Sequence, residues 1–510
     1  MINVGKVISL NDFAGGLNTK AGPLNLAENE TPSCLNVHSN VFKTVKRRDG
    51  YTELNGSAVE LNGNGLYDFG ISSTSHKLIG TFGTKIYKMD ALDGAFDNIT
   101  GVGVTDSISH FENFIDASNV AHLIICNEAK DTPQTWNGSD ATTSAISGMP
   151  AVSVPVVYKF YMLAIDGTSK IQYSNLGDYT TWTTATDNFT EATADGEGFI
   201  GWGILKGVLY AFKQHSIFRI TYTGSAPLWT RRQVTSIGTV SSRSICNVTI
   251  PGVGEVLMFL GPDARVYAFD GSDAIPISTK IEENNGIAPV SLGTVNKNTS
   301  VLANAWAVNL ESNYWYVLNL NNTATNTNNN SQLIYDYSAQ SWWGFDNMPF
   351  LSGALIKNNS GQRQLFGAGY DGKAYTIYSG NSDNVSNINS YYYTRKIDSK
   401  LYPSMKKPKE VWVTVKTLGS YTLTFQFRAD WKTSWQSTDN ITLNSGEYLL
   451  GQTFVLGTAT LGGNEALTKV FDLPNINNLV QFNLSNNTTN PAWSMYRIDI
   501  PLEYLGVAKT

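Results

Sequence analysis

The chain has 510 residues, room for two or more domains or for one large repeat body with an appended domain. Charged residues make up only 15% and the net charge is −6, too small across this length to point to a partner; Asn, Thr, Ser and Gly carry the polar surface, as suits turn-rich β structure. No stretch approaches the ~18 consecutive apolar residues of a membrane helix, which argues against a membrane-spanning segment.

The opening MINVGKVISLNDF lacks a basic region followed by an unbroken apolar core, so it is not a secretory signal, and a soluble chain made in a reducing cytoplasm is expected. Residues 1–60 hold a double glycine, two prolines and one short alternating run from Cys34 to Val45. They predict an extended N-terminal arm that packs on a neighbouring surface, with Phe13, Leu17, Leu24 and Phe42 finding partners outside the segment. The basic run Lys43, Lys46, Arg47 and Arg48 closes the arm. A solvated face or subunit contact is the plain reading of such a run, because backbone phosphate binding needs a broader basic surface.

From residue 61 a strand, turn and strand unit recurs at intervals of roughly 40 to 60 residues, the spacing of propeller blades. Copies begin near Lys77, His122, Lys159, Leu205, Glu255, Asn313 and Gln364. Val208, Tyr210 and Phe212 alternate before the Lys213-Gln214-His215 turn, and Ile217, Arg219 and Thr221 after it, which is a hairpin pattern. Arg265, Tyr267 and Phe269 follow Gly261-Pro262-Asp263 in the same way, and Lys373, Tyr375 and Ile377 follow Asp371-Gly372. Each unit is too small to bury its own apolar face. The expected fold is therefore all-β, with a β-propeller of six to eight blades, seven favoured, over 61–395. Asn321 to Gln332 reads as an exposed hairpin loop within one blade, which could be shortened at little cost.

After Tyr378 the strands lengthen. Tyr421, Leu423, Phe425 and Phe427 alternate with Thr422, Thr424, Gln426 and Arg428, the pattern of a sheet buried on one face, and a C-terminal β-sandwich is expected over 396–510. Lys406, Lys407 and Lys409 open it.

No constellation suggests catalysis, a cofactor or a metal. His38, His76, His110, His122 and His215 fall in no ligand pattern, no Gly-x-Ser-x-Gly elbow occurs, and Cys34, Cys126 and Cys246 are too far apart for a disulfide framework. The turns at Asp90-Ala91-Leu92-Asp93-Gly94, Asp270-Gly271-Ser272-Asp273 and Asp371-Gly372-Lys373 lack the donor series of a calcium loop. Trp136, Trp182, Trp202, Trp229, Trp306, Trp315, Trp342 and Trp343 recur late in strands or beside turns. Packing between blades explains them, with carbohydrate stacking as the alternative.

Asp12-Phe13-Ala14-Gly15-Gly16-Leu17-Asn18, Pro23-Leu24, Asn36-Val37 and Arg47-Arg48-Asp49-Gly50-Tyr51 resemble the start of the tail and head-to-tail structural proteins of tailed bacteriophages. Lys170-Ile171-Gln172-Tyr173-Ser174-Asn175 with Gly177-Asp178 and Trp182, Gly369-Tyr370-Asp371-Gly372-Lys373-Ala374-Tyr375, and Tyr393-Thr394-Arg395-Lys396 with Lys406-Lys407 extend the likeness over nearly the whole chain. The resemblance implies a tail nozzle or packaged-DNA stabilisation protein of a short-tailed phage. It implies a homo-hexameric ring in the virion, assembled in the host cytoplasm, that extends the portal and adaptor, carries fibres or spikes and surrounds the genomic DNA exit channel. Its residues are architectural, so no enzyme activity is implied. A smooth conduit predicts a neutral or acidic lumen. The alternatives are a receptor- or glycan-binding propeller, and a secreted hydrolase with paired carboxylates across a cleft.

Overall fold

The computed structural model describes residues 4–507 apart from 73–74, 91, 184, 284–285, 290, 324–325, 358–360, 399–403, 409, 417–420, 444–465 and 474–478. The fold is almost entirely β. The one α-helix among the described residues is the single turn Thr299–Leu302.

Seven four-stranded antiparallel sheets follow one another in a propeller-like arrangement. Six are built from contiguous chain, over 63–98, 109–145, 154–190, 201–235, 246–276 and 306–345. The repeat starts read from the sequence mark the second strand of each sheet, for example His76–Phe82, Ala121–Asn127 and Val208–Phe212. The second strands are nearly continuous apolar runs because both of their faces are covered; Tyr161–Ile165 and Trp315–Leu320 are buried throughout.

The first strands of neighbouring sheets are tied by side chains. Asn113 Nδ2 donates to the Gly70 carbonyl at 3.1 Å, Trp202 Nε1 to Val154 at 3.1 Å, and Asn309 Nδ2 to Asn247 at 3.0 Å. Trp306 Nε1 donates to Phe350 at 3.0 Å, and Ser352 Oγ donates to Gly63 at 2.7 Å, which joins the seventh sheet to the first.

The seventh sheet departs from the expected boundaries. Phe350–Lys357, Arg363–Gly369 and Ala374–Ile377 supply three strands, and Tyr51–Glu53 from the N-terminal segment supplies the fourth. At the Asp371-Gly372 turn, Gly372 has φ +75°, and a Cβ there would lie 1.7 Å from the Glu60 carbonyl oxygen, so glycine is required both for the conformation and for the close approach of this incoming chain.

The rest of the N-terminal segment pairs with the C-terminal strands. One sheet runs in the order Ala466–Asp472, Glu410–Lys416, Ser494–Val507, Val45–Arg47, Val37–Ser39, with Val4–Leu10 and Ser404–Pro408 also on Ser494–Val507. The other runs Cys34–Leu35, Ile388–Tyr393, Leu479–Thr488, Thr422–Ala429, Gln436–Thr442, with Ile397–Asp398 on Leu479–Thr488. Val411, Val413, Ile498 and Ile500 of the first sheet and Leu423, Phe425, Phe482 and Leu484 of the second share one core. Phe425 stacks on Phe471 at 4.6 Å and on Phe482 at 5.4 Å, bridging the two sheets.

The N-terminal segment is not held as a separate arm: its strands pair within this chain, and Phe13 and Leu17 do find partners outside the segment. Phe13 and Leu17 are 1% and 0% exposed, and Phe13 packs edge-on against Tyr392 of the same chain. Leu24 and Phe42 remain exposed, at 46% and 78%. Strand pairing cuts across the expected division into 1–60, 61–395 and 396–510, because a half-buried sheet takes its missing strands from wherever the chain offers them.

The 321–332 segment is also corrected. It does connect two strands of one sheet, but its ends are buried: Asn321 is 2% exposed and Asn329 0%. Asn329 Nδ2 donates to the Asn304 carbonyl at 2.8 Å and its amide to Tyr370 Oη at 2.8 Å; Asn322 Nδ2 donates to the Leu292 carbonyl. Residues 324–325 of this segment lie outside the described residues. An asparagine-rich stretch looks like solvent-facing loop in sequence, yet here its amides satisfy backbone carbonyls between sheets.

Candidate functional site

The histidines are dispersed. His76 lies 3.0 Å from Asp68, His110 3.4 Å from Glu128 and His122 3.1 Å from Asp116, while His215 pairs with Glu197. His38 is buried against Trp315 at 4.8 Å between ring centroids; burial pushes its pKa down to about 4, although its Nδ1 donates to the Ser39 carbonyl. Among the described residues no group of His, Cys, Asp and Glu could hold a metal ion, and the three cysteines are free. Asp270 Oδ1 accepts from the amides of Ser272 at 2.8 Å and Asp273 at 3.0 Å, which is turn chemistry.

A cavity of about 160 Å³ lies where several sheets converge, lined by Gly65, Ser109, His110, Arg243, Trp306 and Ser352 among others. Arg243 donates to the carbonyls of Leu351 at 3.0 Å and Asn304 at 2.8 Å. Nearby, burial raises the Glu112 carboxyl to about 7, with only the Asn113 amide opposing it. The Arg243 guanidinium thus bridges sheets through carbonyls, while its buried Nε has no hydrogen-bond partner.

The basic run at the end of the N-terminal segment is not a solvated face. Arg47 and Arg48 are 0% and 1% exposed. Arg48 forms a two-pronged pair with Asp383, Nη1–Oδ1 2.7 Å and Nη2–Oδ2 2.6 Å, and its Nε donates to Asn36 Oδ1 at 2.8 Å. Arg47 donates to the carbonyls of Thr488, Asn381 and Asn490. These contacts lock the double-sheet body to the seventh sheet. Lys43 and Lys46 do reach the surface, pairing with Asp12 and Asp49. Of the second basic run, Lys406 and Lys407 lie in Ser404–Pro408, and Lys409 falls outside the described residues.

All eight tryptophans singled out in the repeat region are buried, at 9% exposure or less. They pack, and offer no stacking surface. A cluster of partly exposed rings lies on the double-sheet body, which sequence reasoning missed. Strand alternation sends Leu423, Phe425 and Phe427 inward and Thr424, Gln426 and Arg428 outward. Pairing aligns Tyr393 with Asn483 and Asn483 with Gln426 in one outward row, and Arg428 with Gln481 in the next. Trp435 closes over this face, 4.7 Å from Tyr393 and 4.5 Å from the Arg428 guanidinium carbon; Tyr391 is 4.8 Å from Tyr393. Lys396 Nζ sits 4.1 Å from the centre of the Trp431 ring, which is 63% exposed. The alternation after Tyr421 and the Tyr391-Tyr392-Tyr393 run were the available signals; which face each ring takes required the pairing.

No family model and no curated protein matches the chain. Among solved structures it is similar to a chain in the crystal structure of the mitotic checkpoint complex, at 11% identity over 65% of this chain and 94% of that one, with a TM-score of 0.40. It is also similar to a chain of BBS1N in complex with ARL6DN, at 6% identity over 65% and 97%, TM-score 0.40. The computationally designed Ika8 protein matches at 8% identity over 64% and 100%, TM-score 0.35. Likeness at this level carries no functional argument.

Proposed function

We propose that the chain is a seven-bladed β-propeller fused to an interwoven β-sandwich, and that it serves as a structural subunit of a short-tailed phage virion. In this reading it forms a homo-hexameric nozzle or DNA-stabilisation ring beneath the portal and adaptor, lining the DNA exit channel and carrying fibres or spikes. The propeller reading is supported by the side-chain bonds that tie first strands of several neighbouring sheets, by the Ser352–Gly63 bond between the last sheet and the first, and by the multi-sheet cavity.

The observation that carries the tail reading is where the phage-like motifs lie. Gly16 abuts Trp342, Asn36 donates to Asp346 Oδ1, Arg48 pairs with Asp383, and Gly50 packs on Ser382. Four residues of the N-terminal phage-like motifs thus sit at one buried joint between the two bodies, against residues outside those motifs, which supports an architectural and not a chemical role for that part of the resemblance. The hairpin tip between Val37–Ser39 and Val45–Arg47 projects Val41 and Phe42, 88% and 78% exposed, a contact suited to assembly.

The cavity of about 160 Å³ between the sheets is far too small for a DNA duplex, so in this reading DNA passes through the lumen of the ring and not through a single propeller. Cryo-electron microscopy of virions encoding this chain tests the reading: six copies around the tail axis are expected, with a neutral or acidic lumen. A single copy away from the axis would overturn the ring, and a continuous Lys and Arg collar facing the axis would overturn the smooth conduit.

A further inference from the structure

We propose that the outer face of the sandwich sheet containing Ile388–Tyr393, Leu479–Thr488 and Thr422–Ala429 is a binding site for an acidic oligosaccharide, a chain of carboxylated sugars. This goes beyond the virion role and does not depend on it.

Three features converge. The first is an aromatic wall: Tyr391, Tyr393 and Trp435 lie ring to ring at 4.8 and 4.7 Å. Their electron-rich faces suit the weakly positive C–H face of a pyranose. The second is a set of amides among the rings. Asn483 donates to Gln426 Oε1 at 2.9 Å, and Gln481 Oε1 accepts from Arg428 Nε at 2.7 Å. Asn483 is 5% exposed and its Oδ1, itself buried, has no hydrogen-bond partner.

The third is charge without a counter-ion. Arg428 and Lys396 have no carboxylate partner among the described residues, whereas the adjacent Arg395 is held by Glu28 at 3.2 Å. Lys396 is only 9% exposed. Desolvation first, and then the charge of Arg428, pushes its pKa down. Among the described residues neither cation has a counter-charge, and a ligand carboxylate would supply one. Asp430, at the end of the Arg428 strand, accepts from the Leu479 amide.

The arrangement selects against the other ligand that stacks on aromatics. Single-stranded nucleic acid needs cations spaced along its backbone, and this face offers two, close together, on a chain of net charge −6. Neutral sugars would use the wall and the amides but leave the cations unanswered.

Titration of the full chain, followed by tryptophan fluorescence and calorimetry, would use four probes: trigalacturonate, its methyl ester, a sialic acid trimer and an oligothymidine. At least one acidic trimer is expected to bind, with the methyl ester at least tenfold weaker than trigalacturonate if that is the binder. Arg428→Gln should weaken the acidic probe at least tenfold and leave the ester unchanged. Trp435→Ala should abolish binding of both, Trp435→Phe should restore it, and the thermal transitions of all three variants should match the parent. The proposal is overturned if neither acidic trimer binds, if ester and acid bind equally, if oligothymidine binds tightest, or if Trp435→Ala binds normally.

Discussion

The seven-sheet body and the double-sheet body meet the same need, covering strand edges and apolar faces, by opposite routes. In the first, partners are local: six of seven sheets close within one continuous stretch of chain. In the second, partners are as remote as the chain allows, Val7 facing Pro501 and Ser9 bonding Asp499. Local pairing tolerates the loss of distant segments, while remote pairing makes the termini structural. The two bodies also differ in their tryptophans, since the eight in the repeats are buried while Trp412 and Trp431 of the double-sheet body are 40% and 63% exposed.

The sharpest way to break this contrast is to delete residues 4–50. The sandwich should lose its fixed tertiary structure, because strands leave both of its sheets and two fully buried arginines go with them, while the first six sheets of the repeat body stay protected. Hydrogen exchange by mass spectrometry reads both at once; protection retained in Ser494–Val507 would show that the N-terminal strands are dispensable. Next in size is Arg48→Ala, which strands the Asp383 carboxylate at the joint. Breaking a buried pair of this kind costs about 3–5 kcal/mol, measurable by denaturant unfolding, whereas Lys43→Ala at an exposed pair should cost less than about 1 kcal/mol.

The two bodies should also respond oppositely to pH. Glu112 in the repeats has its folded pKa raised to about 7, so the folded state holds a proton that the unfolded chain releases, and stability falls as pH rises from about 4.5 to about 7. His38 in the sandwich has its folded pKa lowered to about 4, so stability is full above about 6.5 and falls as pH drops toward 4. Glu112→Gln should flatten the first slope and His38→Phe the second, each worth up to about 3 kcal/mol across its window. Unfolding midpoints measured from pH 4 to 8 would show whether the slopes separate by variant. A smaller effect is expected from Asn329→Ala, about 1–3 kcal/mol from carbonyls left unsatisfied between sheets. Removing only residues 326–328, whose side chains are more exposed, should cost less.

The repeats were legible because each strand, turn and strand unit satisfies its own hydrogen bonds, so period and turn chemistry stand together in a short window. The one-face-buried strand Thr422–Ala429 was legible from its own alternation, Tyr421 to Arg428. Pairing over hundreds of residues leaves no local mark, which is why Val4–Leu10 read as an arm and Tyr51–Glu53 was not seen as a strand of the seventh sheet. Arg47 and Arg48 misled because residue type reports charge, not the carbonyls and the one carboxylate that surround it. The aromatic face was hidden likewise: Trp431 and Trp435 are ordinary in sequence, and only register places them with Tyr393 and Arg428.

The pairing of Val7 with Pro501 also sets an order of events at the ribosome. The N-terminal strands are made first and their partners last, so at roughly 5–20 residues per second they wait on the order of a minute without a sheet to join. The repeats can form one after another as they emerge, each supporting the next. The residues translated first are thus among the last to find their place, and exposed apolar groups such as Phe13 and Leu17 must be kept from wrong partners throughout that interval.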